Sequence, residues 1–227
     1  MDPMADPESV RPSLVGADRW DVLLIGGASG VGKSSVSYHL ARHFGIGITE
    51  IDDFQVVLEH MTDPETYPEL HLWRRDPQAF LSMTPDEQLA FGIRYGTVMS
   101  EALEQVIGNH LEGGPPIVLE GDFLLPEVAA RGSYAGQPAG GRVRAIFIVE
   151  GDEAQIARNY LAREGEEQAG RARISWRYSE WLRQDAERLG VPVLEARPWD
   201  TVFERCLEAI GGLPSGDASD MMSEANH

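Results

Sequence analysis

The stretch LLIGGASGVGKSSVSYHL, residues 23–40, decides the fold. Residues 27–34 match the pattern GxxxxGK[ST] at every fixed position. An apolar strand precedes the match and a helical period follows it. The glycines therefore allow successive backbone N–H groups to point into the loop at the N-terminus of the helix, which is the positive end of its dipole. The segment therefore predicts a loop that binds polyphosphate. It also contains Lys33, the single lysine of the chain.

This loop supplies most of the predicted nucleotide contacts. Lys33 is expected to contact the β and γ phosphates, and the Ser34 hydroxyl to bind Mg²⁺. ATP and Mg²⁺ are the expected cofactors. GTP is not excluded, although the chain has no second lysine for the asparagine-lysine-x-aspartate segment that usually recognises guanine. The predicted cofactor-binding residues of the loop are Gly27, Ala28, Ser29, Gly30, Val31, Gly32, Lys33, Ser34 and Ser35.

Apolar runs and helical periods alternate along the chain. The runs are continuous enough for strands that are buried on both faces, which is typical of a parallel sheet with helices on both sides. The segment 131–142, rich in glycine, is expected to be a surface loop. The five predicted strands are Val22 to Ile25, Ile46 to Ile51, Ile117 to Leu119, Val143 to Val149, and Val191 to Leu194.

Capping residues predict where several helices begin. Thr84 and Glu87 form a capping-box pattern before a long helix that is expected to end at Gly108. Asp152 is expected to open the following helix, and Asp200 to cap the last one.

Composition limits the range of functions. The net charge of −18, from 37 acidic and 19 basic residues, argues against nucleic-acid or anionic-lipid partners. No apolar run reaches membrane-spanning length, and residues 1–18 carry acids and prolines instead of a secretory signal, so we expect a cytoplasmic protein without membrane association. Residues 1–18 and 212–227 are predicted to be disordered tails around one domain, residues 19–211. Cys206 lies in an apolar pattern and is expected to be packed.

Two aspartates follow the second strand. Asp52 and Asp53 should lie at the carboxyl edge of the sheet, beside the phosphate loop. A carboxylate there could accept the proton of an attacking hydroxyl. The alternative is that both only cap the following helix, and the sequence does not choose between the two residues.

Acidic residues also end the third strand. Glu120 and Asp122 could hold Mg²⁺ or its water ligands, and Glu120 is the favoured metal ligand. The segment FIVEGDE at residues 147–153 has the same form, so one of the two segments is expected only to lead into a helix.

Arginines are concentrated late in the chain. Such residues can close over a triphosphate and neutralise charge on the transferred phosphoryl group. Arg163 and Arg171 are the predicted catalytic pair, and Arg158 a nucleotide contact. The alternative is a solvated, self-paired surface, because acids such as Glu164 lie among them.

With these elements the chain resembles the small P-loop kinases, most closely the 2-phosphoglycerate-kinase-like group, and its Asp-Asp-Phe segment is similar to that of nucleoside kinases. The resemblance covers about residues 21–210. It rests on the segments GGASGVGKSS, IDDF, VLEGDFLLP, ARNYLAREGEEQAGRAR and YSEWLRQDAERLGVPVLEARPWDTV.

The resemblance implies a P-loop kinase fold with five parallel strands in the order 2-3-1-4-5 and an arginine-bearing lid at about residues 160–176. It also implies that the insertion at about residues 54–110 holds the substrate, that Arg197 and Trp199 flank adenine, and that an aspartate activates the acceptor hydroxyl.

The insertion departs from what a phosphorylated acid requires. It holds nine acids against three arginines, together with several aromatics. This composition favours a neutral or cationic small-molecule acceptor, such as a nucleoside, a sugar or an antibiotic hydroxyl. The alternatives are a 2-phosphoglycerate kinase, a nucleotide-dependent switch without an acceptor, and a toxin that phosphorylates a nucleotide sugar.

Overall fold

A computed structural model describes residues 19–211. Its centre is a five-stranded sheet in the order β2-β3-β1-β6-β7, with every neighbouring pair parallel. The order is the predicted 2-3-1-4-5, because β6 and β7 are the fourth and fifth strands of this sheet. The strands are β1 (Val22–Gly26), β2 (Gly47–Glu50), β3 (Ile117–Gly121), β6 (Val143–Val149) and β7 (Val193–Glu195).

Helices flank the sheet and fill the connections between its strands. Four of those described, α2 to α5, lie between β2 and β3 and make up the predicted insertion. A short 3-10 turn, Trp199–Thr201, precedes the last helix. The helices are α1 (Lys33–Phe44), α2 (Ile51–Met61), α3 (Pro68–Arg75), α4 (Pro77–Ser82), α5 (Pro85–Glu112), α6 (Pro126–Ala129), α7 (Glu153–Glu164), α8 (Ala169–Leu189) and α9 (Val202–Ile210).

The hydrophobic core lies on the central strands. Residues 22–25 of β1 are fully buried, as are residues 146–148 of β6, which confirms that continuous apolar runs mark buried parallel strands. Leu40 of α1 and Tyr95 of α5 also pack in this core, and Cys206 of α9 is buried there as expected.

The predicted end of the long helix was wrong. Helix α5 continues through Gly108 to Glu112. A Cβ at Gly108 would lie 2.7 Å from the Cβ of Ala135 and 2.9 Å from the carbonyl oxygen of Tyr134. The glycine therefore permits close packing of another segment and does not end the helix.

The structure of the segment that packs on Gly108 differs from a second prediction. Residues 131–142 are not simply a surface loop, because they contain an antiparallel hairpin of β4 (Ser133–Tyr134) and β5 (Gln137–Pro138). Tyr134 is fully buried, and its hydroxyl donates to the carbonyl of Val128 at 2.7 Å. The hairpin is thus anchored to the domain by a tertiary contact.

Two predicted helix starts are confirmed and one is wrong. Thr84 and Glu87 form the capping box of α5, and Asp152 accepts a hydrogen bond from the backbone N–H of Ala154 at the start of α7. Asp200 lies inside the 3-10 turn, and Thr201 is the residue before α9. The predicted tails lie outside the described residues. Between residues 19 and 211, no helix is both long and apolar enough to cross a membrane.

Candidate active site

The phosphate loop connects the end of β1 to the first residue of α1. Gly27 and Gly32 have φ angles of +152° and +96°, which favour glycine. A Cβ at Gly27 would lie 2.4 Å from the carbonyl oxygen of Ile148, and one at Gly32 would lie 2.6 Å from Cη2 of Trp199. The loop is therefore held closely between β6 and the 3-10 turn.

The side chains of the predicted loop residues differ in their exposure to a ligand. Ala28 and Val31 bury their side chains in the core, so only their backbone groups could contact a ligand. Ser35 is exposed in the first turn of α1. Ser29 borders the large cleft described below.

Lys33 is buried and paired with a carboxylate. Its Nζ donates to Oδ1 of Asp122, just beyond β3. Burial alone would lower the pKa of Lys33, but the charges of Asp122 and Glu120 outweigh it and raise that pKa. The lysine is therefore a fixed positive charge at the start of α1.

Ser34 and Glu120 form the candidate metal site. The Ser34 hydroxyl donates to Oε1 of Glu120 at 3.0 Å, while the buried Oε2 of Glu120 has no hydrogen-bond partner. Burial raises the pKa of Glu120, although Lys33 and the Ser34 hydrogen bond oppose the rise. An unpartnered buried carboxylate oxygen beside a hydroxyl fits a divalent cation. Ser34 and Glu120 supply two oxygen ligands, which fits Mg²⁺ that takes its other ligands from phosphates and water. Among residues 19–211 no group of three or more His, Cys, Asp or Glu side chains could hold a metal.

The two aspartates after β2 lie in different surroundings. Strand β2 ends at Glu50, and both residues are in the first turn of α2. Burial by surrounding protein and the Asp122 carboxylate raise the pKa of Asp52, and Lys33 opposes the rise. The charge of Asp53 instead contributes to the raised pKa of Tyr38, on the outer side of α1. Asp52 is thus the aspartate close to Lys33.

The lid arginines contact one glutamate and one aromatic ring. Nη2 of Arg163 and Nη1 of Arg171 lie 2.5 and 3.0 Å from carboxylate oxygens of Glu164. Their guanidinium carbons lie 5.1 and 4.4 Å from the ring centroid of Tyr160. Hydrogen bonds from Arg163 and Gln168 lower the pKa of Glu164 to about 2. The arginines are self-paired, which is the arrangement that the alternative interpretation expected.

Asn159 links the lid to the phosphate loop, and sequence reasoning missed it. Its Nδ2 donates to the Gly30 carbonyl at 2.7 Å, and its Oδ1 accepts from Gln155 at 2.7 Å. A Cβ at Gly30 would meet the Tyr160 ring at 3.2 Å. Gly30 and Asn159 are 129 positions apart, and no sequence signal marks the asparagine.

The predicted adenine-flanking residues also lie against the loop. Trp199 packs over Gly32, and the Arg197 guanidinium lies 5.8 Å from its ring centroid. Arg197 Nε is 3.4 Å from Oε2 of the buried Glu150, which ends the strand next to β1. Glu150 is therefore paired with Arg197, just before the 3-10 turn, whereas Glu120 accepts a hydrogen bond from Ser34.

A cleft of about 830 Å³ opens beside these groups. Helices α3, α4 and α5 line one side, α8 lines the other, and Ser29 and Asp122 border it. Arg171 reaches the cleft, whereas Arg158 and Arg163 are not among its lining residues. Arg158 instead contacts Asp152 at 3.0 Å. The structure thus brings Lys33, Asp52 and Glu120 close to Asp122 at the carboxyl edge of the sheet, with Ser34 hydrogen-bonded to Glu120. Asp122 and Arg171 both line the cleft, whereas the other four residues lie outside its lining.

Comparisons with known proteins give relatives that cover most of the chain. No family model matches the chain. The 2-phosphoglycerate kinase of Methanocaldococcus jannaschii is 24% identical over 201 residues, covering 83% of this chain and 62% of that protein. The tRNA dimethylallyltransferase of Syntrophobacter fumaroxidans is 32% identical over 130 residues, covering 57% of this chain and 36% of that protein. A solved sugar kinase from Janibacter sp. HTCC2649 has a TM-score of 0.53 at 18% identity, covering 86% of this chain and 97% of that one.

The resemblance to P-loop small-molecule kinases is confirmed. The fold is that of a P-loop kinase with a five-stranded parallel sheet. The chain spans about 62% of the length of the first of these relatives. Most of these relatives and solved structures are kinases, which is consistent with a P-loop phosphotransferase.

Proposed function

We propose that this protein is an ATP- and Mg²⁺-dependent kinase that transfers the γ-phosphoryl group to a hydroxyl of a neutral or cationic small molecule. The observation that carries the proposal is the joint placement of Lys33, Ser34 and Asp52 beside a cleft large enough for an acceptor. A nucleotide-binding loop alone does not distinguish kinases from switches. The adjoining cleft favours a kinase.

Lys33 supplies the fixed charge for transfer. Its raised pKa keeps the ammonium protonated at neutral pH, and its burial removes competing water. Lys33 stabilises negative charge on the β and γ phosphates, and Arg171, which lines the cleft, would add a second positive group once a phosphate replaces Glu164 as its partner.

Asp52 acts as the proton acceptor. As the acceptor oxygen forms its bond to the γ phosphorus, the bond from that phosphorus to the β–γ bridging oxygen breaks, and ADP leaves. The hydroxyl proton moves to the Asp52 carboxylate. Its raised pKa makes it a stronger base than an ordinary aspartate.

Ser34 and Glu120 hold Mg²⁺ in this proposal. The Ser34 hydroxyl and the unpartnered Oε2 of Glu120 are the protein groups that fit the ion. When bound, Mg²⁺ supplies positive charge that orients the phosphates and neutralises them.

A 2-phosphoglycerate kinase is the second candidate, supported by relatives of that name which match 83% of the chain. The cleft favours a different acceptor. Each arginine that lines it has a carboxylate partner, namely Arg171 with Glu164, Arg173 with Glu153 and Arg177 with Asp86. A phosphorylated acid would have to compete with these carboxylates.

The test is ADP release from Mg·ATP across a panel of nucleosides, sugars, hydroxylated antibiotics and phosphorylated acids, including 2-phosphoglycerate. ADP release that depends on one acceptor and on Lys33 supports the kinase. Tight ATP binding without any acceptor-dependent turnover contradicts it and favours the switch.

A further inference from the structure

We propose that the acceptor is a neutral alcohol that carries a flat, largely apolar ring system, and that Trp73 and Leu81 bind that ring. This inference rests on the proposed kinase function, since it names the substrate class of the same cleft. It departs from the 2-phosphoglycerate and the sugars for which the reported kinases are named.

An aromatic cluster forms the insertion side of the cleft. The ring centroids of Trp73 and Phe80 are 3.9 Å apart, and Phe91 lies 5.6 Å from Trp73 and 5.5 Å from Phe80. All three residues line the cleft. Phe80 and Phe91 are each only 3% exposed, so they support the Trp73 ring, which offers dispersion and ring–ring contacts to a flat apolar ligand.

Part of this apolar lining is accessible. Trp73 is 37% exposed and Leu81 is 61% exposed, although both belong to the cleft wall. Ile174 of α8 lines the cleft as well. Exposed apolar groups that are clustered in a cleft indicate ligand binding, because a ligand in the cleft can bury them together. Single apolar residues scattered over a convex surface carry no such indication.

Several polar groups of the cleft are engaged within the protein, whereas the Tyr178 hydroxyl and Nε of Arg177, both of lining residues, are buried without a hydrogen-bond partner. Gln88 donates to the carbonyl of Phe80 at 3.1 Å, and Gln55 donates to Glu59 at 3.1 Å. The lining arginines have the carboxylate partners given above. A ligand rich in hydroxyl or carboxylate groups would therefore find few unpaired partners, whereas an apolar body needs none.

The volume of the cleft and its orientation relative to the phosphate loop fit an alcohol that carries a ring. A volume of about 830 Å³ exceeds what a three-carbon acid fills and lies within the range for drug-sized ligands, roughly 300–1,000 Å³. Ser29 and Asp122 border the cleft on the phosphate-loop side, and Trp73 and Leu81 belong to the insertion. The hydroxyl of a ring-bearing alcohol would thus face the phosphate loop.

The experiment measures ADP formation with cinnamyl alcohol, 2-phenylethanol and adenosine, against glycerate and 2-phosphoglycerate. Binding of cinnamyl alcohol to the full chain is measured separately by equilibrium dialysis. The variants are Trp73→Ala and Leu81→Ala. The exposed Leu81 keeps the test valid if the tryptophan variant does not fold. Met61→Ala is the matched control, because Met61 is 76% exposed and does not line the cleft.

The expected result is turnover of one or more ring-bearing alcohols, with KM raised at least about tenfold by each cleft variant, kcat changed less, and Met61→Ala without effect. Lys33-dependent turnover of only the small acids, unaffected by Leu81→Ala, overturns the inference and leaves the kinase function intact. Dialysis binding that Leu81→Ala weakens, without any ADP, keeps the site and overturns the kinase function. The absence of both binding and turnover of the ring-bearing alcohols overturns the inference.

Discussion

The side-chain amide of Asn159 donates to the carbonyl of Gly30 at 2.7 Å, which fastens the lid helix α7 directly to the phosphate loop. The Oδ1 of the same amide accepts a hydrogen bond from Gln155, which fixes its orientation. Any movement of α7 therefore acts on a backbone group of the loop. The conformation of the loop depends on the lid as well as on its own glycines.

We expect Asn159→Ala to raise the KM for ATP several-fold and to destabilise the fold by about 1 kcal/mol, the net contribution of one intramolecular hydrogen bond. Steady-state kinetics and urea unfolding measure the two effects. The control is Asn109→Ala, because Asn109 is exposed on α5. An equal change in KM for both variants would refute the role of Asn159.

Substitutions at two glycines separate backbone strain from loop geometry. Gly32 and Gly45 both have positive φ angles, so alanine costs roughly 1–2 kcal/mol at either position. Only at Gly32 would the new Cβ meet Trp199, since the space at Gly45 is open. We expect Gly32→Ala to raise the KM for ATP more than about tenfold, and Gly45→Ala to leave it unchanged. Similar KM values for the two variants would contradict the packing argument.

The pH dependence of kcat/KM tests the assignment of the base. Asp52 accepts a proton only when ionised, and its pKa is raised above the ordinary 3.8. Activity should therefore fall as the pH drops through that raised pKa, at a higher pH than an ordinary aspartate would cause. Asp52→Asn should remove most activity together with this acidic limb. Asp53→Asn should retain both the activity and the acidic limb of the pH profile. Loss of that limb in Asp53→Asn would instead identify Asp53 as the base.

Glu120 should determine the Mg²⁺ requirement. Glu120→Gln keeps the shape of the side chain but removes its charge beside Ser34. We expect the Mg²⁺ concentration for half-maximal activity to rise about 10- to 100-fold. Glu150→Gln is the matched control, since Glu150 is a buried carboxylate that directly follows β6, two strands away from β3, and contacts Arg197. A shift in Mg²⁺ dependence for the control alone would exclude Glu120 as the ligand.

The sheet and the phosphate loop could be predicted from the sequence because both are local patterns. Continuous apolar runs indicate buried strands, and the spacing of residues 27–34 specifies the loop. Gly108 and residues 131–142 were misjudged because a tertiary contact decides them. The hairpin packs on α5 where glycine permits close approach, and no local signal shows that contact.

The site could be predicted only in part for the same reason. Glu120 and Asp122 were placed at the correct sheet edge, but their separate partners, Ser34 and Lys33, depend on contacts across 86 and 89 positions. The choice between Asp52 and Asp53 depends on the rotation of α2. Those relationships follow from packing and not from spacing.

The central claim is transfer of the γ-phosphoryl group to an organic hydroxyl through Lys33. The most direct measurement follows Mg·ATP and an active acceptor by ³¹P NMR. The account predicts one phosphate monoester for each ADP formed, with the rate lowered about 10²- to 10³-fold in Lys33→Ala, as for loss of a preorganised charge donor. Inorganic phosphate as the only product, or an unchanged rate in Lys33→Ala, would contradict the account.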